Sequence, residues 1–257
     1  MDTSWGKVAE WYDQLLDKER TYQQAVILPN LLRIMDIKKG ETVLDIACGQ
    51  GFFAKAFYEQ GANVIGVDIA AELLLLAKKK IKSDIEHAAE FYVSSADDLR
   101  HIKDKSVDKI TIIMAIQNID NVNGVFKECQ RVLKDKGSLH IVMNHPCFRV
   151  PQQTAWEWDE TRHTQYRQVN RYLSELKIKI AMHPGKDPGA MTISFHRPLQ
   201  YYFKMLKKNN FAVIGLEEWI SNKQSGKGPR QQAEDRARKE IPLFLTLTVG
   251  KFLSSSK

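Results

Sequence analysis

Val43-Leu44-Asp45-Ile46-Ala47-Cys48-Gly49-Gln50-Gly51 decides the fold. An apolar run, Thr42 to Ala47, follows a Lys39-Gly40 turn and ends in a glycine-rich turn. From Gly51 to Gln60, Phe52, Phe53, Ala56 and Phe57 recur at helical spacing, and Gly61 closes the segment. Strand, tight turn and helix in that order make one half of a βαβ unit. The same rhythm continues outward. Strands are predicted at 62–67, 90–93, 107–114 and 138–143, and helices at 70–80 and 122–133. After an interruption come a helix over 199–208, a strand over 211–219, a polar helix over 231–240 and a last strand over 242–249, expected antiparallel beside the sixth. Alternating strands and helices predict an α/β, doubly wound, Rossmann-like sheet with helices on both faces.

Ligands of such sheets bind beyond the carboxyl ends of the strands. Gly49 and Gly51 allow close backbone approach there. The next strand ends in Asp68, 19 positions after Gly49, near the spacing of a ribose-binding acid. Gly49 to Ala54 formally matches the G-x-G-x-x-G/A dinucleotide pattern, so an NAD(P) oxidoreductase is one reading. Asp45 argues against it. A carboxylate at the mouth of the turn repels a pyrophosphate and suits a ligand with an ammonium and a sulfonium, such as S-adenosylmethionine. Ser94-Ser95-Ala96-Asp97-Asp98-Leu99 follows the third strand, where an acid accepts adenine amino hydrogens and Ile69 packs on the adenine face.

Asp45 to Gly51, Gly66-Val67-Asp68-Ile69 and Ala96 to Leu99 together resemble the class I S-adenosylmethionine-dependent methyltransferases, as do, more weakly, Met114 to Ile119 and Arg131 to Gly137. The resemblance covers residues 40–145. It implies seven strands with the last antiparallel, and S-adenosylmethionine as cofactor with S-adenosylhomocysteine as product. Asp45 and Gly49 would then lie at the methionine end, Gln117 near that end or the transferred methyl, Asp68 at the ribose and Asp97 at the adenine beside Ile69, with Ala47, Gly51 and Ala96 also binding the cofactor. Ala47 stands where the family usually has its first glycine, which suits an extended backbone there.

Methyl transfer from a sulfonium needs alignment more than acid–base chemistry, so the acceptor is read by the insertions. Residues 1–36 are predicted to form a helical lid carrying Tyr12 and Tyr22. Residues 146–198, rich in Trp, Tyr, Arg and His without a long periodic segment, are predicted to cap the substrate. His145, at a strand's carboxyl end, is the first choice for a base or acceptor contact, with His196 second and Tyr22 a further catalytic candidate. Tyr12, Trp156, Tyr166, Arg167 and Arg197 are candidates for contacts to a planar or anionic acceptor.

Composition bounds the rest. The 257 residues suffice for one such domain with a cap, and 43% apolar with 27% charged residues is globular. No apolar run approaches a membrane span, and the first residues show no apolar export signal. Cys48, Cys129 and Cys147 form no CxxC pair, which argues against a zinc knuckle and suits a cytoplasmic location; no metal is expected. The net charge of +7 is scattered. It makes nucleic acid a possible partner and an RNA methyltransferase an alternative, but Ala115-Ile116-Gln117-Asn118 is not the Asn/Asp-Pro-Pro-aromatic motif used on base nitrogens. The favoured reading is methyl transfer to an oxygen or nitrogen of a small molecule. A non-catalytic cofactor-binding scaffold is the other alternative.

Overall fold

The strand Thr42–Ile46 (β1) is buried on both faces because its side chains alternate between two apolar layers. Leu44 and Ile46 face the cluster built on Phe126, Val125 and Leu139, while Val43 faces Leu31, Phe57 and Ala62. A computed structural model describes residues 21–81, 87–183 and 187–252. In it β1 pairs in parallel with β2 (Asn63–Asp68) and β4 (Val107–Ile113), and β3 (Ala89–Val93) pairs with β2. β5 (Leu133–Asn144) continues the parallel sheet beyond β4.

Helices Leu28–Met35 (α1), Phe52–Glu59 (α2) and Ala71–Lys80 (α3) cover one face, and Val122–Val132 (α4) and Leu199–Lys208 (α5) the other. Asn121 caps α4 by accepting from the Gly124 N–H at 3.0 Å. A π-helical turn, Gln23–Ile27, leads into α1. The rest of the predicted 1–36 lid, with Tyr12, lies outside the described residues.

The insertion after β5 differs from expectation. It holds two antiparallel hairpins, Thr154–Asp159 (β6) with Thr164–Val169 (β7), and Leu176–His183 (β8) with Asp187–His196 (β9). The chain then rejoins the sheet through Phe211–Trp219 (β10), Gln231–Glu240 (α6) and Phe244–Lys251 (β11). The sheet order is β10-β11-β5-β4-β1-β2-β3, seven strands with β11 antiparallel to both neighbours. The winding reverses between β1 and β4, so the loops after β1 to β4 open a crevice at one sheet edge. No helix among the described residues is long and apolar enough to cross a membrane.

Candidate functional site

The turn after β1 is left-handed at three positions: Ala47 (φ 56°), Gly49 (φ 57°) and Gly51 (φ 79°). Gly51 also answers a packing demand, because a Cβ there would lie 2.8 Å from the Ala77 Cβ of α3. Asp68 holds the turn to β2. Its Oδ2 accepts from the Gly49 N–H at 2.9 Å and its Oδ1 from the Ala70 N–H at 2.8 Å. Burial raises its carboxyl pKa against the pull of those donors.

A cavity of about 390 Å³ opens beyond this turn. Its walls are the residues directly after β1, β2, β3 and β4. Among the described residues, the ionisable groups on the lining are Asp68, Asp97, Asp120 and the Cys48 thiol, with no lysine, arginine or histidine. Asp97 is fixed by hydrogen bonds from the Ser95 hydroxyl and, at 2.7 Å, from Asn121 Nδ2, and the Ser95 bond holds its carboxyl below the usual range. Asp120 stands at the rim, 3.8 Å from an Arg197 nitrogen. The Gln50 Nε2 is buried with no hydrogen-bond partner among the described residues. Cys48 is buried, and burial first, then Asp45 and Asp68, push its thiol well above the ordinary range. Ile69, Leu73, Ala96 and Ile119 supply apolar wall for a flat ring. An acid-lined cleft suits a ligand carrying ammonium and sulfonium charge and opposes a diphosphate.

A family model of the methyltransferase domain matches residues 44–141. The chain is 27% identical over 182 residues to malonyl-acyl-carrier-protein O-methyltransferase of Pectobacterium atrosepticum, covering 70% of this chain and 66% of that one. It is 31% identical over 155 residues to demethylmenaquinone methyltransferase of Lactobacillus johnsonii, covering 59% and 63%. The chain thus spans about two thirds or less of the length of these curated relatives. Its structure superposes with a TM-score of 0.66 on a Listeria monocytogenes protein assigned to the S-adenosylmethionine-dependent methyltransferases, at 25% identity over 86% of this chain and 96% of the other. The chain belongs to the class I S-adenosylmethionine-dependent methyltransferases.

In this methyltransferase the cavity brings together Ala47, Gly49, Asp68, Ile69, Ala96 and Asp97, while Gly51 shapes the turn behind them. Asp45 is set back from the mouth. It is 2% exposed and turned toward β4, where Thr111 Oγ1 donates to its Oδ1 at 2.7 Å; its Oδ2 has no partner. Burial raises its pKa to about 7. The acids facing the cavity are instead Asp68, Asp97 and Asp120. Ala47 is left-handed rather than extended, so alanine there carries strain that glycine would not.

The catalytic candidates stand apart from the large cavity. His145 spends both ring nitrogens on protein: the Cys147 N–H donates to Nδ1 at 3.2 Å, and Nε2 carries the proton toward Glu218 at 2.7 Å. His196 Nε2 bonds the Tyr172 carbonyl at 2.7 Å, and burial lowers the pKa of both histidines. The Tyr22 hydroxyl bonds Ser221 at 2.8 Å. Trp156 and Arg167 pair across β6–β7, and Tyr166 faces solvent; none of them lines the large cavity. Gln117 sits in a short 3-10 turn, Ile116–Asn118, and lines a second, smaller cavity.

Arg197 has a part that the sequence did not reveal. It is 4% exposed and donates to the carbonyls of Ile119 (2.9 Å) and Asp120 (2.8 Å), both on the wall of the large cavity. The end of the second hairpin therefore fixes the cofactor-side loop. Asp120 and Arg149 were also missed as lining residues. Asn121 as helix cap was a readable signal that the residues just before it close the loop after β4.

Proposed function

We propose that this methyltransferase transfers the methyl group of S-adenosylmethionine to an oxygen or nitrogen of a small-molecule acceptor by in-line displacement. The observation that carries the reading is the cavity beyond β1 to β4, whose wall among the described residues carries three aspartates and no basic side chain. Bound there, the cofactor supplies a methyl group on a positively charged sulfur that is a good leaving group. The chain's own contribution is binding and alignment. The Gly49 loop offers backbone without a side chain, and Asp68 and Asp97 offer fixed acceptors for ribose and adenine hydrogens. Residues 146–198 select the acceptor. Relatives named for malonyl-acyl-carrier protein and demethylmenaquinone support a small-molecule acceptor. With both nitrogens of His145 occupied, the favoured contribution is positioning rather than general-base catalysis by that residue.

Isothermal titration with S-adenosylhomocysteine tests the reading. Binding tighter than about 1 mM is expected, and no heat up to that concentration would sink it.

A further inference from the structure

The second cavity, about 30 Å³, is lined by Gln117, Asn144, Arg149, His196 and Arg197 among others, and holds no aspartate or glutamate among the described residues. Gln117 lies between Ala115 and Asn118 in the chain, and both of those line the large cavity, so one short segment forms a wall of each. Arg197 is engaged by the Ile119 and Asp120 carbonyls and lies 3.8 Å from the Asp120 carboxylate. Arg149 is not. Among the described residues, its buried Nε has no hydrogen-bond partner and no carboxylate lies within ion-pair distance of it. Its neighbour Arg167 adds a second cation, 5.2 Å from the Trp156 ring that Arg149 approaches at 6.0 Å. Arg167 is satisfied by the Phe148 carbonyl and Thr154 Oγ1, again with no acid. Burial first, then the repulsion of Arg167, pulls the Arg149 pKa down to about 10. Gln117 leaves its Oε1 buried and unpaired in the same cavity.

A half-buried arginine without a counter-charge costs folding free energy, and chains keep such groups paired unless a ligand completes them. The guanidinium is a planar fork that matches a carboxylate in two parallel hydrogen bonds. We propose that the second cavity is the acceptor-anchoring subsite, in which Arg149 binds a carboxylate of the molecule to be methylated. This rests on the methyltransferase reading above and names its substrate class: small carboxylic acids.

The test uses acetate as the probe on the full chain saturated with S-adenosylhomocysteine, read as thermal midpoint. Acetate at roughly 100 mM is expected to raise Tm by about 2–4 °C over matched chloride, and neutral acetamide to do nothing. Arg149→Met should lose that increment while melting no lower than the parent without acetate, since an unpaired cation has been removed. Arg149→Lys, which keeps the charge but not the fork, should lose most of the increment and serves if the Met variant does not fold. The proposal is overturned if acetate matches chloride, if either variant keeps the full increment, or if inorganic phosphate outperforms acetate. Failure of S-adenosylhomocysteine to bind would strike the methyltransferase reading; its binding without an acetate increment strikes the carboxylate subsite alone.

Discussion

The large cavity beyond β1 to β4 is walled by aspartates, and the small one across the Ala115 to Asn118 segment by arginines. Each polarity complements its own proposed occupant: a cationic methyl donor in one cavity and an anionic acceptor in the other. The two regions also differ in how they are built. The acidic wall is made of loops whose shape follows from backbone rules, with left-handed turns at fixed places and strand ends that all point one way. The basic wall is made of side chains from the loop after β5, the 3-10 turn and the end of β9 with Arg197 just beyond it, which meet only in the folded state.

Four experiments press on this contrast. Asp45 carries the largest expected effect. Between the ordinary carboxyl value of 3.8 and about 7 the folded chain binds a proton that the unfolded chain does not, so this group's contribution to stability falls as pH rises through that window. The total is on the order of 4 kcal/mol. His140 works the other way. Burial holds it neutral with a pKa of about 4, so its contribution rises with pH between that value and its ordinary 6.5. Urea melts from about pH 4.5 to 7.5 should therefore show Asp45→Asn gaining on the parent as pH rises. A difference between the two proteins that is flat in pH would remove Asp45 as a buried charge.

Gly51→Ala comes next. The new Cβ would press on Ala77 in a left-handed backbone, for a loss of about 3 kcal/mol in the same melts. A loss under half that size would mean that α2 and α3 can part without harm. Arg197→Met tests whether the two regions are mechanically joined. Leaving the Ile119 and Asp120 carbonyls unpaired should cost about 2 kcal/mol and weaken S-adenosylhomocysteine binding several-fold. Unchanged cofactor affinity would show that the hairpin does not hold the cofactor loop. The smallest effect belongs to Ala47→Gly, where relief of strain and added freedom of the unfolded chain nearly cancel, leaving less than about 1 kcal/mol by calorimetry.

The same division governs what could be read from the residues alone. The sheet, its antiparallel last strand and the Gly49, Asp68 and Asp97 positions were legible because apolar periodicity and glycine spacing are local signals. The hairpins of the insertion were not seen as strands. In β7 the inward positions Gln165 and Arg167 are polar, so the sequence alternates without an apolar face. β8 was readable, since Leu176, Ile178 and Ile180 turn inward and Lys177 and Lys179 outward. The direction of Asp45 was not, because the register that sets it opposite Thr111 depends on β4, far along the chain.

Cys48 shows a quieter result of crowding acids under the glycine turn. A thiolate is the protein nucleophile that a sulfonium alkylates most readily, and this sulfur lines the very cleft assigned to one. Enclosed and flanked by carboxylates, it stays protonated at neutral pH and does not compete with the acceptor. The enzyme is thereby spared consuming its own donor.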